Sequence, residues 1–325
     1  MTPDLKISVI LPVYNGMKYL EKSVLSVINQ NIFYYEFIIC DDCSTDESTK
    51  FLREIEKKYS QKVKVIYNNV NLGLFKTLNK LISFTSSPLI HLWAQDDIMM
   101  PDCLEKCVIF HDLYADITMS YHGVEYIDEN GTVKPFEKID GTPIIIDTDS
   151  YASMSSKWGC IPGNISNVTI SSVHAYAVGL FNDEMILSAD FDLWTKLASK
   201  GSIGRMTEKL TFLRLHGGQL SRNYGSIALR IKEDIPIQKK ISSLLIKNED
   251  QYRIARRYWR WKTQPSYFND LLFLFYVKEY NEGKKLMLLL KSETNLFGLF
   301  MRWSVVRLLR AFKLDIKFYQ NFLEK

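Results

Sequence analysis

The chain has 325 residues, 46% of them apolar and 24% charged, with a net charge of +4. That balance excludes disordered and collagen-like classes and leaves room for one large domain or two smaller ones. Five cysteines, an odd count in a chain of this size, do not suit a disulfide framework, and a reducing, cytoplasmic setting is expected.

The first third alternates strand and helix. Lys6 to Tyr14 (KISVILPVY) is a β-branched apolar run entered directly from Met1, with no h-region or cleavage site, so no secretory leader is expected. Met17 to Gln30 carries Leu20, Val24, Val27 and Ile28 at helical spacing, and Tyr35 to Asp42 reads as a strand ending in acid. Cys40 and Cys43 make a lone C-x-x-C with no second pair or nearby histidine, so they are expected to be one strand and one loop residue. Ser44 and Glu47 have the spacing of a capping box for the next helix. Val63 to Asn68 is a third strand, NLGLFKTLNKLISF a third helix and SPLIHLWAQDD a fourth strand, with Trp93 in its core. This alternation predicts βαβ units and a parallel sheet.

Ligands on such sheets bind at the carboxyl ends of the strands. Asn15, Asp41, Asp42, Asn71, Asp96 and Asp97 all fall there. Asp96 and Asp97 stand side by side, and like charges so placed repel unless a cation is near. The alternatives are structural: the aspartates cap the helix near Pro101, or Asp41 and Asp42 shape an Asx-turn.

The middle third changes character. Glu129-Asn130-Gly131 is a hairpin-turn signal, Asn164 to Ser171 reads as a strand, and Asp190 to Gly201 as a helix with acid at its start. Asp190 is either a functional carboxylate or an N-cap, and Asp192 is the better structural aspartate. Ser202 to His216 is a strand pair or one long bent strand. His216 is alternatively a satisfied loop histidine.

From Leu229 the chain is helical, with about 20 Lys and Arg against about 10 Asp and Glu, while the part before it is acidic by about six. This asymmetry points the tail toward an anionic surface; no nucleic-acid motif accompanies it, and no nucleic acid is expected. Gln264-Pro265-Ser266 looks like a helix break. In Leu296 to Lys317, Arg302, Arg307, Arg310, Lys313 and Lys317 share one side of a helical wheel, away from Phe297, Leu299, Trp303, Val306 and Leu308. No stretch reaches the roughly 20 apolar residues a span needs. A basic amphipathic helix of this kind reads as peripheral membrane contact, or as a helix packing its apolar face on a domain.

ISVILPVYNG, the DDCSTDES segment, NLGLFKTLN, the strand into QDD, ADFDLW and RLHGGQLS occur in this order over about Ile7 to Ser221. The pattern resembles family 2 glycosyltransferases of the GT-A fold, an α/β architecture with a mostly parallel, Rossmann-like sheet flanked by helices. The resemblance implies a GT-A domain over 1–228, followed by a helical, basic region over 229–325 that it does not cover. It also implies an inverting hexosyl- or N-acetylhexosaminyltransferase. The donor would be a nucleotide sugar, UDP-linked, and the acceptor a glycan or lipid-linked glycan of a surface-polysaccharide pathway. The basic amphipathic segment Leu296 to Lys317 adds the expected location: cytoplasmic, peripheral on the inner face of the membrane.

Carried over residue by residue, Pro12, Val13, Tyr14 and Asn15 border the nucleotide. Asp42 pairs with the base, where a carboxylate accepts the N3–H of uracil or thymine. Asn71 and Gly73 form an N-x-G turn beside the nucleotide. Asp96 contacts the donor, while Asp97 and His216 hold Mn²⁺ or Mg²⁺. Asp190 is the base that takes the acceptor's proton. Arg214 and Arg222 lie near phosphate, and Gly163 and Asn164 border the sugar. Three positions depart from the family pattern: Ala189 stands before Asp190 without a neighbouring Glu, Thr77-Leu78-Asn79 lacks an arginine, and Gln95 replaces an acid. Ala189 keeps open a second reading, a catalytically silent glycosyltransferase-like scaffold in a membrane-associated glycan assembly.

Overall fold

A computed structural model describes residues 6–32, 35–134, 142–218, 224–319 and 323. Its first four strands are β1 (Ile7–Val13), β2 (Tyr35–Asp41), β3 (Val63–Tyr67) and β4 (Leu89–Leu92). The helices α1 (Met17–Ile28), α2 (Ser48–Lys58) and α3 (Leu74–Ser83) alternate with them. Then come β5 (Ile98–Met99), α4 (Cys103–Leu113), β6 (Met119–Ile127), β7 (Val133–Lys134), β8 (Ile145–Ile146), α5 (Thr148–Trp158), β9 (Val168–Ser171), α6 (Ser172–Ala177), α7 (Ala189–Ala198) and β10 (Ile203–Arg214). The remainder is helical: α8 (Ile227–Leu244), α9 (Glu249–Tyr258), α10 (Gln264–Tyr276), α11 (Tyr280–Glu293), α12 (Leu296–Ala311) and α13 (Asp315–Phe318).

One sheet holds all the described strands, in the order β3-β2-β1-β4-β9-β6-β10-β5, with β7 on β6 and β8 on β10. The pairs β3–β2, β2–β1 and β1–β4 are parallel, as is β6–β10, while β9 runs antiparallel between β4 and β6. β1 is an unbroken apolar run because it lies inside the sheet with helices over both faces, and it is buried along almost all its length. Leu20, Val24, Val27 and Ile28 of α1, with Leu52 and Ile55 of α2, pack into the core under β1 and β2. Trp93 is fully buried, and its Nε1 donates to Ser23 Oγ at 2.9 Å. The hairpin at Glu129-Asn130-Gly131 joins β6 to β7, with Gly131 at φ 89°. Ser202 to His216 holds one long strand, β10, with register shifts against β6.

Several local expectations change. The capping box at Ser44 and Glu47 does not form. Ser44 Oγ instead accepts the Asn15 N–H, and Asp46 accepts from Ser48 N at 3.0 Å and Met17 N at 3.1 Å, tying two helix entrances together. Asn164 to Ser171 splits into a 3₁₀ turn (Ile165–Asn167) and the short β9. No break occurs at Gln264-Pro265. The chain passes from α9 through a π turn (Trp259–Thr263) into α10, and Pro265, the second residue of α10, has no N–H to give the ladder just where the π turn shifts it.

The chain divides into two compact units: Met1–Thr148 with Pro162–His216, and Asp149–Ile161 with Gly217–Lys325. The first holds the sheet. The second is built around Ile231 and Ile235 of α8, Tyr267, Leu271 and Leu274 of α10, Leu286 and Leu290 of α11, and Leu299 of α12. No described helix is long and apolar enough to cross a membrane.

Candidate active site

The carboxyl ends of β1, β2 and β3 are stitched together by short polar side chains. Asn15, in the left-handed region at φ 48°, donates its N–H to Ser44 Oγ at 3.0 Å and accepts Thr45 N–H at 2.8 Å. This fixes the turn Pro12-Val13-Tyr14-Asn15 against the exit of β2 and leaves Tyr14 exposed. Asp41 turns inward: it accepts from Ser44 N at 3.1 Å and from Thr49 Oγ1 at 2.5 Å. Asp42 faces the loop after β3, where it accepts from Asn68 Nδ2 at 2.7 Å and from the N–H groups of Leu72 and Gly73, each at 2.8 Å. Asn71 Oδ1 accepts the same Gly73 N–H at 2.9 Å. Gly73 sits at φ 86°, which a glycine adopts without strain, and a Cβ there would meet open space. The N-x-G turn is therefore held by Asp42 and open on its outer side.

The two adjacent aspartates have opposite surroundings. Asp97 is buried, and both its oxygens are engaged: Oδ1 accepts the Arg214 N–H at 2.8 Å and Oδ2 the Ser166 hydroxyl at 2.5 Å. Burial, and then the neighbouring Asp96 charge, push its carboxyl up to about 7. The side chain of Asp96 is 19% exposed, and its Oδ2 lies 2.8 Å from Nε2 of His216. Asp97 was expected to hold the cation together with His216. The geometry corrects this: Asp97 is spent inside the protein, and Asp96 is the carboxylate paired with His216. A carboxylate and an imidazole side by side on the strand-end face fit a small divalent cation.

Arg214 also departs from expectation. It is buried rather than facing a phosphate: Nε donates to the Asp96 carbonyl at 2.9 Å, and Nη1 donates to the carbonyls of Asp128 and Glu129 at 3.0 and 3.1 Å. Its guanidinium lies 4.6 Å from the centre of the Tyr19 ring, which also contacts His216 at 5.0 Å between ring centres. Arg214 thus clamps the acidic turn to the hairpin after β6. Arg222 lies outside the described residues.

Asp190 enters from another element. It occupies the first turn of α7, half-buried, with Oδ1 accepting the Phe191 N–H at 2.7 Å. Asp192 is buried and pairs with Lys196 at 2.8 Å, an intrahelical bridge that leaves it structural. Gly163, at φ 75°, and Asn164 form the turn before Ser166, and Asn164 Oδ1 accepts the Ser166 N–H at 3.1 Å. That turn therefore sets the hydroxyl that holds Asp97.

Residues 8–152 match the family model for glycosyl transferase family 2. Over that stretch the chain belongs to glycosyltransferase family 2. An uncharacterised glycosyltransferase of Haemophilus influenzae is 28% identical over 223 residues, 67% of this chain and 68% of the relative. TuaG of Bacillus subtilis, a putative teichuronic acid biosynthesis glycosyltransferase, is 28% identical over 218 residues, 67% of this chain and 82% of the relative. Three other relatives are matched over 35% to 45% of their own length. S. aureus TarS 1-349, solved in complex with UDP-GlcNAc, shares the fold: TM-score 0.58 and 16% identity, covering 87% of this chain and 90% of that one. The fold is GT-A.

Within this glycosyltransferase domain, three contributors escape sequence reasoning. Gln95 reaches across to β1: its Oε1 accepts the Tyr14 N–H at 2.9 Å and its Nε2 donates to the Tyr14 carbonyl at 3.1 Å. Gly16 makes room for it, since a Cβ there would lie 2.3 Å from Gln95 Oε1. The position that departs from the family's acid is therefore a brace between the β1 and β4 exits. Ser166 gives no sequence signal, because serine in a turn is common. Asn79 exchanges two hydrogen bonds with the backbone of Phe181, at 2.9 and 3.1 Å, and holds the loop that leads to Asp190.

Proposed function

We propose that the protein transfers a sugar from a UDP-linked donor to a hydroxyl of a glycan or lipid-linked glycan, with inversion at the anomeric carbon. The observation that carries this reading is the acidic turn: Asp96 beside His216, held in place by Asp97, Arg214 and Ser166. In this reading Asp96 and His216 hold the cation. The mixed carboxylate and imidazole donors favour Mn²⁺ over Mg²⁺, which takes oxygen ligands. When bound, the cation neutralises charge on the departing diphosphate. The turn at Pro12 to Asn15 and the Asn71–Gly73 loop border the nucleoside, with Asp42 accepting from the base. Asp42 is itself buried and accepts Asn68 and Leu72 on Oδ1, so a bond from the base would share Oδ2 with the Gly73 N–H. Asp190 takes the proton of the incoming hydroxyl, and a half-buried carboxylate in a first helical turn suits a base that must reach substrate. That TuaG is named for teichuronic acid synthesis and TarS binds UDP-GlcNAc supports a polysaccharide acceptor and a UDP donor.

The tail supports a peripheral membrane location on the inner face, though not through the face read from the wheel. Leu299 and Val306 of α12 are buried, and Arg302 turns to Gln264 Oε1 at 3.0 Å. The outward apolar stripe is instead Phe297, Met301, Val305, Leu308 and Phe312, spaced by three or four residues and all exposed, with Arg307 and Arg310 also on the exposed surface. Such a stripe on a basic unit suits an anionic lipid surface, near a lipid-linked acceptor.

A thermal-shift panel tests the donor reading: UDP, dTDP, GDP and CDP, each with Mn²⁺ or with EDTA, on wild type and Asp96→Asn. The expected result is a Mn²⁺-dependent rise in Tm with UDP that Asp96→Asn loses. No shift with any nucleotide would move the assignment to the silent scaffold.

A further inference from the structure

A second cluster of metal-binding side chains lies in the interior of the same domain, apart from the acidic turn. Cys103 and Cys107 stand one turn apart on α4, so both face the same way, and both are fully buried. His91 of β4 and His122 of β6 are buried as well, and their rings stack at 5.8 Å between centres. One ligating atom each from His91, Cys107 and His122 lies within 4.8 Å of the others. Cys103 stands outside that mutually close trio: its Sγ lies 3.5 Å from His122 Nε2, and it would have to turn toward His91 to complete a set of four. A tetrahedral zinc, with Zn–S about 2.3 Å and Zn–N about 2.0–2.1 Å, sets sulfur and nitrogen ligands about 3.5 Å apart.

The imidazoles are already turned toward such an ion. His122 Nδ1 donates to the Gly123 carbonyl at 2.9 Å, and His91 Nδ1 lies 2.9 Å from the Thr169 hydroxyl, its cross-strand neighbour on β9. With the protons on Nδ1, each Nε2 keeps its lone pair, the arrangement in which metal-bound histidines are oriented by a partner behind them. His91 Nε2 is fully buried and makes no hydrogen bond of good geometry, and the Cys107 thiol is the group that interacts with this ring.

We propose that Cys103, Cys107, His91 and His122 form a Cys₂His₂ site for a zinc ion. Four protein ligands complete the tetrahedron, so the site is structural and has no open position for substrate. On binding, each thiol releases its proton to solvent and the sulfur lone pairs bond to the metal, with no change in oxidation state. The ion would pin α4, the helix that follows the acidic turn, to β4 and β6. Its soft sulfur ligands set it apart from the oxygen and imidazole pair at Asp96 and His216, and it does not depend on the assignment of that pair.

The test is metal analysis of the full chain produced with added zinc, paired with cobalt substitution of the same protein. Stoichiometric zinc is expected, and the cobalt form should show tetrahedral visible bands with a thiolate charge-transfer band. Cys103→Ser/Cys107→Ser should lose both; Asp96→Asn and Cys40→Ser/Cys43→Ser should keep both. Only trace zinc in wild type, or cobalt bands without thiolate character, overturns the proposal. So does retention of zinc in Cys103→Ser/Cys107→Ser. The wild-type cobalt spectrum decides the matter even if the double variant does not fold.

Discussion

The sheet domain and the C-terminal helices spend their polar residues differently. In the first, buried and half-buried polar groups reach across the chain: Asp97 to Arg214, Asp96 to His216, Asn79 to Phe181, His91 to Thr169. In the second, several ion pairs and caps are local, such as Lys285 with Glu282, Arg253 with Asp250, and Asn248 capping Gln251 N–H. Its exposed surface includes large aromatic side chains beside its charges: Tyr276 is 85% exposed, Phe297 73% and Phe312 72%. Long-range polar bonds place atoms to within fractions of an ångström, as chemistry requires. Local pairs hold helices and leave their outer faces available to a surface. One region thus has the build of a reaction site, the other of a surface that docks.

The largest effect should come from the reacting group itself. Asp190→Asn is expected to lower kcat by about 10²- to 10⁴-fold, the usual contribution of a positioned base. Donor binding and Tm should be nearly unchanged, since the amide oxygen can still accept the Phe191 N–H. Steady-state kinetics and nucleotide-induced Tm shifts read the two parts separately. Turnover that survives would remove the proposed base. A domain that shows no turnover before mutation would be the scaffold.

The next contrast lies between neighbours. Asp97→Ala orphans the Arg214 N–H and the Ser166 hydroxyl and is expected to cost about 1–3 kcal/mol of stability. Asp97→Asn should cost less, because an amide can accept from Arg214, donate to Ser166 and remove the like charge beside Asp96. Asp96→Ala should cost less than Asp97→Ala, because Asp96 is only partly buried and the side-chain partner it leaves is His216, while abolishing the metal response. Urea unfolding of the three variants checks this order. Equal losses for the two alanine variants would contradict the division of roles drawn from the geometry.

Much of the sheet domain was legible because period and punctuation follow from local chemistry. Apolar β-branched runs gave the parallel strands, and their polar ends marked Asn15, Asp42, Asn71 and Asp96. What stayed hidden depends on partners far away in sequence. Which of two adjacent aspartates faces inward is decided by Arg214 and Ser166, 117 and 69 residues from Asp97. No spacing rule reaches that far. The same holds for the buried cysteines and histidines: their positions 91, 103, 107 and 122 fit no short metal signature, while the lone C-x-x-C at 40 and 43, which does stand out by spacing, is one buried strand residue and one loop residue. In the tail, a helical wheel finds an apolar arc but not its partner. Leu299 and Val306 belong to the interior, whereas Phe297 and Leu308, grouped with them by the wheel, face outward.

That division of α12 yields the smallest and most selective prediction. Leu308 is 60% exposed, so Leu308→Ser should leave the unfolding midpoint nearly unchanged. If the stripe enters a lipid surface, the same change removes about 1–2 kcal/mol of apolar transfer and lowers binding to anionic vesicles by about five- to thirtyfold. Val306→Ser, two residues away but buried, should do the reverse: lost stability, with vesicle binding reduced only as far as the helix unfolds. Flotation with anionic and neutral vesicles, run beside urea unfolding, separates the two. The basic residues add an electrostatic share that high salt removes, whereas the Leu308 share should persist in salt, because apolar transfer is not screened. Binding that is indifferent to Leu308 and lost in salt would leave the tail a charged surface only. The exposed stripe would then belong to a contact with another protein.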